Sequence, residues 1–84
     1  MNEYYILNMY NSPKAVIEAF TVEELIDKTT LAIQEELGEE VTSLIINIGY
    51  LGDYGKETDI TARYYDNGEL CENEDITLIK TVKY

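Results

Sequence analysis

The side chains able to do chemistry in this chain are almost all carboxylates. Seventeen Asp and Glu stand against six Lys and Arg, a formal net charge of −11 in 84 residues. Histidine is absent, which removes the commonest general base and a frequent metal ligand. Ser12 stands beside a turn proline and Ser43 lies in an apolar run, and neither has a base to activate it. Cys71 is the only cysteine, so neither an internal disulfide nor a Cys/His zinc site can form. Its acidic neighbours Glu69 and Glu72 work against a reactive thiolate. Gly49, Gly52 and Gly55 lack the spacing and the lysine of a phosphate-binding loop. The oxygen-rich segment DNGELCENED, residues 66–75, does not place a glycine sixth and a glutamate twelfth as a calcium loop requires. These absences predict a non-enzyme with no catalytic residue, no metal site and no cofactor.

What remains is the display of charge. Acids gather along the helical stretch and its exit (Glu23, Glu24, Asp27, Glu35, Glu36, Glu39, Glu40), in a Gly-rich connection (Asp53, Glu57, Asp59) and around a hairpin (Asp66, Glu69, Glu72, Glu74, Asp75). A solvated surface that keeps a small protein soluble is the plain explanation. The charge exceeds the magnitude of ~2–8 that suffices for solubility in a small domain. Carboxylates fixed on a rigid scaffold can instead present negative charge as phosphates do, to a basic groove that normally holds nucleic acid. The expected partner-binding residues are Glu24, Asp27, Leu31, Glu35, Glu36, Glu39, Glu40, Asp66, Glu69, Glu72, Glu74 and Asp75. Direct contact with nucleic acid or an anionic membrane is disfavoured by the same charge.

The elements that must hold these residues are legible. Residues 21–38, TVEELIDKTTLAIQEELG, form the one long helical pattern. Thr21 is a good N-cap with Glu24 three residues on, Phe20 and Leu25 suit a hydrophobic staple, and Gly38 suits a left-handed stop. Val22, Leu25, Ile26, Thr29, Ala32, Ile33 and Leu37 share one face. Leu31 falls on the opposite, polar face, about 180° from Val22. Single exposed leucines are common; an apolar anchor ringed by acids is the alternative. Glu35, Glu36, Glu39 and Glu40 sit where the helix dipole disfavours negative charge, so local stability does not account for them.

Strand-like sequence flanks the helix. Residues 3–10 alternate, with Tyr5, Leu7 and Met9 on one side. Asn11-Ser12-Pro13 signals a turn. Residues 14–20 alternate as a strand, a short helix begun at Ser12-Pro13 being the rival. Residues 41–51 are the most apolar stretch and predict a central strand, with Leu44, Ile46 and Ile48 under the helix. Residues 57–66 and 69–83 flank Asn67-Gly68, a strong hairpin signal, with a bulge or break expected at Asn73-Glu74-Asp75. The order β-β-α-β-β-β predicts an α+β fold in one domain, 1–84, with a single helix on one face of a mainly antiparallel sheet and a half-exposed, tyrosine-rich opposite face. Tyr4, Tyr10, Tyr50, Tyr54, Tyr65 and Tyr84 are too many for so small a core. The apolar fraction of 45% suffices for a core, though a modest one. Without a signal segment or spanning run, the expected location is the cytoplasm.

Length, acidity, the lack of catalytic residues and a helix on a sheet resemble the small phage or mobile-element inhibitors of host nucleic-acid-binding enzymes, such as DNA-mimicking anti-CRISPR proteins and uracil-DNA glycosylase inhibitors. The resemblance is one of class and carries no motif. It implies a basic host protein of defence or repair as partner, and a host-cell cytoplasm as location. The competing expectation is a small structural or regulatory adaptor, monomer or homodimer, that associates through a sheet edge or a tyrosine-bearing face.

Overall fold

Alternation along EYYILNM turns Tyr5, Leu7 and Met9 inward and forms β1, Glu3–Met9. The structure, a computed structural model, describes residues 2–82. β2, Ser12–Ala19, folds back on β1 with Ile17 and Ala19 buried and Val16 outward, so the segment with two sequence readings is a strand. The turn lies one position earlier than expected. Tyr10 and Asn11 both have positive φ, 54° and 61°, and join Met9 to Ser12 as a two-residue hairpin loop. Asparagine tolerates this backbone. Tyr10 is held in it from β5, Glu69–Thr81: its N–H donates to the Asp75 carbonyl at 2.9 Å, and its hydroxyl accepts from Asn73. Pro13 sits in β2 beside a register shift, on an outer strand where a missing N–H is tolerated.

The helix α1, Val22–Leu37, starts and stops as its caps predict. Thr21 Oγ1 accepts the Glu24 N–H at 3.1 Å. Gly38, at φ 71°, donates its N–H to the Gln34 carbonyl at 2.9 Å. The Glu24 carboxylate pairs with Lys28 at 2.9 Å. Phe20, expected to staple onto buried Leu25, stays largely exposed, as does Val22. Leu25, Thr29 and Ile33 are the buried residues of the helix. Thr29 Oγ1 is buried without a hydrogen-bond partner among the described residues, and an unmet hydroxyl costs ~1–3 kcal/mol. Thr29→Val keeps the shape and removes that cost, so its urea midpoint is expected to rise. A fall would show that the hydroxyl contributes a bond of its own.

β3, Val41–Ile46, β4, Glu57–Asp66, and β5 complete a five-stranded antiparallel sheet in the order β2-β1-β5-β4-β3. One helix on one face of this sheet makes the α+β architecture and element order expected from sequence. Asn67 and Gly68, with φ 52° and 81°, form the β4–β5 hairpin loop. The break expected near residue 74 is a bulge. Ile60 faces Ile76 and Ala62 faces Asn73, so Glu74 and Asp75 together oppose Thr61.

Two further expectations fail. The apolar run 41–51 is not central: β3 is an edge strand that ends at Ile46, and the middle strand of the five is β5. Asn47 accepts the Gly49 N–H at 3.2 Å and turns the chain into a short 3-10 turn, Ile48–Tyr50. Leu44 and Ile46 pack on the core, but Ile48 is 66% exposed and not under the helix. The helix-free face is not tyrosine-rich either. Strand alternation gives it Tyr4 and Tyr65 beside Ile6, Val16, Ile45 and Ile79, while exposed Tyr10, Tyr50 and Tyr54 sit in turns and connections. Tyr84 and residue 83 lie outside the described residues. Among the described residues, no helix is long and apolar enough to cross a membrane.

Candidate partner-binding surface

Chain direction decides which acids meet. β2 and α1 run opposite ways, so the helix exit returns to the end of the sheet that carries the Tyr10-Asn11 turn. Lys14, just after that turn, reaches Glu36 at 3.9 Å. β3 then leaves from the same end, with Val41 opposite Tyr64. The β4–β5 hairpin points the same way, and its bulge contacts Tyr10. Glu36, Glu39 and Glu40 therefore share one end of the molecule with Asp66, Glu69, Glu72, Glu74 and Asp75, although more than two dozen residues separate the two groups in sequence.

An open depression on the hairpin's side of this end is lined by Tyr10, Tyr64, Glu72, Asn73, Glu74 and Asp75. The Tyr64 phenol is held above its ordinary value, first by desolvation and then by Cys71, Tyr10, Asp66 and Glu39. Val41, directly after Glu40, pairs with Tyr64 two residues before Asp66, so the chain that leaves the helix meets β4 close to its hairpin. Asn73 is buried and ties the depression together: its Oδ1 accepts the Asp75 N–H at 3.0 Å and its Nδ2 donates to the Tyr10 hydroxyl. Tyr10, Tyr64 and Asn73 were not among the residues expected to form a site. Nothing local in the sequence places β1, β4 and β5 side by side.

The other expected residues fall elsewhere. Glu24 and Asp27 belong to the helix entry, at the opposite end, and a 16-residue helix spans ~24 Å. Leu31, 63% exposed, lines a groove between α1 and β2 with Val16, Lys28, Ala32 and Glu35. It is not ringed by the acids of the hairpin. Five basic side chains each lie beside one carboxylate: Lys14 with Glu36, Lys28 with Glu24, Lys56 with Asp53, Arg63 with Glu72 and Lys80 with Glu3. Glu39, Glu40, Asp66, Glu69, Glu74 and Asp75 have no such partner among the described residues. Lys80 apart, these pairs are exposed and contribute little to stability, so the basic residues trim the charge without cancelling it.

The far end is built as a latch. Lys80 Nζ lies 3.2 Å from Glu3 Oε1 and 4.6 Å from the centre of the Tyr54 ring. The Tyr5 hydroxyl lies 2.7 Å from Glu3 Oε2 and 3.0 Å from the Leu51 carbonyl. The hydrogen bond from Tyr5, and after it that from Lys80, holds the Glu3 carboxyl below its ordinary value. Burial, then Glu3, pushes the Tyr5 phenol far up. A carboxyl with a depressed folded pKa contributes stability that is present above its unfolded pKa, ~4.3, and is lost as pH falls through the folded value. Glu3→Gln is therefore expected to lose less stability than the parent protein on acidification from neutral to about pH 3. Urea midpoints measured along that range check this; parallel curves would remove Glu3 from the latch.

No protein family, curated protein or solved structure matches this chain.

Proposed function

We propose that this chain is a non-enzymatic binding module that lodges its acidic end in the basic, nucleic-acid-binding groove of another protein. The observation that carries this reading is the convergence of the helix exit and the hairpin on one end, with carboxylates left unpaired around Tyr10 and Tyr64. The sheet fixes the spacing of the hairpin acids and the helix that of Glu36, so a cationic groove meets a largely preorganised anionic surface. The body measures 40 × 22 × 22 Å, slender enough to enter a cleft shaped for a duplex. Tyrosine at such a junction adds apolar contact with a polar tip. The partner class implied by the resemblance, a nucleic-acid-binding enzyme of host defence or repair, bears such grooves.

The experiment is capture of partners from a bacterial lysate on immobilised protein, at low and high salt, with and without added DNA or RNA. The expected result is a basic nucleic-acid-binding protein released both by salt and by nucleic acid. A partner that nucleic acid does not displace would sink the reading.

A further inference from the structure

We infer that the free edge of β3 joins two copies of this chain, antiparallel about a twofold axis, into one continuous sheet. Residues 41–52, VTSLIINIGYLG, contain no charged side chain, in a chain of which 27% is charged. That uncharged run begins with an unpaired sheet edge, because among the described residues β3 pairs with β4 alone. The Asn47 N–H donates across the sheet to the Asp59 carbonyl at 3.2 Å. Peptide groups of successive residues alternate between the two sides of a strand. The N–H and C=O groups of Leu44 and Ile46 therefore point away from β4, toward no strand. Ile45 is 51% exposed between them.

The opposite edge is built differently. β2 carries Pro13, a register shift and Lys14, and Lys28 Nζ occupies the Glu18 carbonyl at 2.7 Å. Proline, bulges and lysine are the means by which sheet edges avoid pairing. β3 has a register shift near its start, between Val41 and Ser43, but no proline and no charge.

Charge selects a second copy as the occupant. Two molecules of net charge −11 repel wherever carboxylates face each other. The 41–52 edge is where they can approach without that opposition: in a twofold pairing centred within β3, residues 41–47 of one copy face residues 41–47 of the other. The edge offers no acid to a basic strand and no base to an acidic one. Pairing is reciprocal, each copy meeting the same unmet peptide groups. Because the paired strands run in opposite directions, the two acidic ends point away from one another and stay free.

Sedimentation equilibrium from micromolar to millimolar concentration, at low and high salt, tests the inference. A dimer is expected, and added salt should tighten it by screening the repulsion between copies, the reverse of the salt effect on an acidic end in a basic groove. Ile45→Lys should give a monomer with an unchanged far-UV CD spectrum, and Val16→Lys on the other edge should leave the dimer intact. A protein monomeric at every concentration and salt would overturn the inference. So would a dimer indifferent to Ile45→Lys. Neither outcome bears on the acidic end, whose binding is read separately by displacement with nucleic acid.

Discussion

Replacing Glu39, Glu40, Glu74 and Asp75 together with lysine is expected to weaken binding to the captured basic partner by ~10³-fold or more, taking about 1 kcal/mol for each reversed contact. The matched control reverses Glu23, Asp27, Asp53 and Glu57, at the other end. Both variants carry the same net charge, so a general attraction between an acidic and a basic protein would weaken equally in both. Location separates them. Screening falls off over ~10 Å at 0.1 M salt, whereas the helix entry lies a helix length away from the junction. The control is expected to lose less than ~10-fold. All eight residues are exposed, so folding should survive, which far-UV CD checks. Calorimetry on the purified partner reads the two affinities. Equal losses would mean that the position of the carboxylates is irrelevant, and the proposed function would go with it.

The second large effect concerns the strand that unites the sheet. Leu78 is fully buried on β5, opposite Leu7 of β1 on one side and Thr58 of β4 on the other. Leu78→Ala removes core volume at a site fixed by strands on both sides, which limits collapse around the cavity. A loss of ~3–5 kcal/mol follows from comparable core truncations. Domains of this size hold ~5–10 kcal/mol in all, so the variant should be largely unfolded well below the parent's midpoint. Denaturant titration followed by CD gives the comparison. Leu44→Ala, at the half-buried edge strand, is expected to cost less than half as much. A Leu78→Ala midpoint within error of the parent would mean that the centre of the sheet is not where stability resides.

Local chemistry in the sequence was a good guide to local structure. Thr21, Gly38 and Asn67-Gly68 each act through the backbone within a few residues, and each is where its type predicts. Alternation likewise put Tyr5, Leu7 and Met9 on one side of β1, and that side is the buried one. Apart from Phe20 and Val22, which stay exposed at the helix entry, the failures trace to relations between distant segments. The run 41–51 looks central because buried strands are apolar, yet apolarity also marks an edge that is free of charge for another reason. Pro13 suggested the turn, while the backbone turns at Tyr10, which donates its N–H to the Asp75 carbonyl and accepts from Asn73 at its hydroxyl. The acid groups were visible as groups. Their meeting was not, because it depends on strand order, and no residue of either group encodes which strand its hairpin will lie beside. Leu31 was visible as an oddity, but its neighbour proved to be the groove beside β2.

The strand order sets a schedule for folding. β1 and β2 form one hairpin, and β3 and β4 form another, but nothing in the described sheet joins β1 to β4 until β5 slides between them. During synthesis the two halves must wait, tethered by a helix with no finished sheet to cover, until residues 69–81 emerge. Contacts between distant segments dominate such a topology, which favours slow folding. Chains cut short before β5 would then expose apolar strand faces and be cleared or aggregate, so shortened messages should yield almost no protein capable of binding anything.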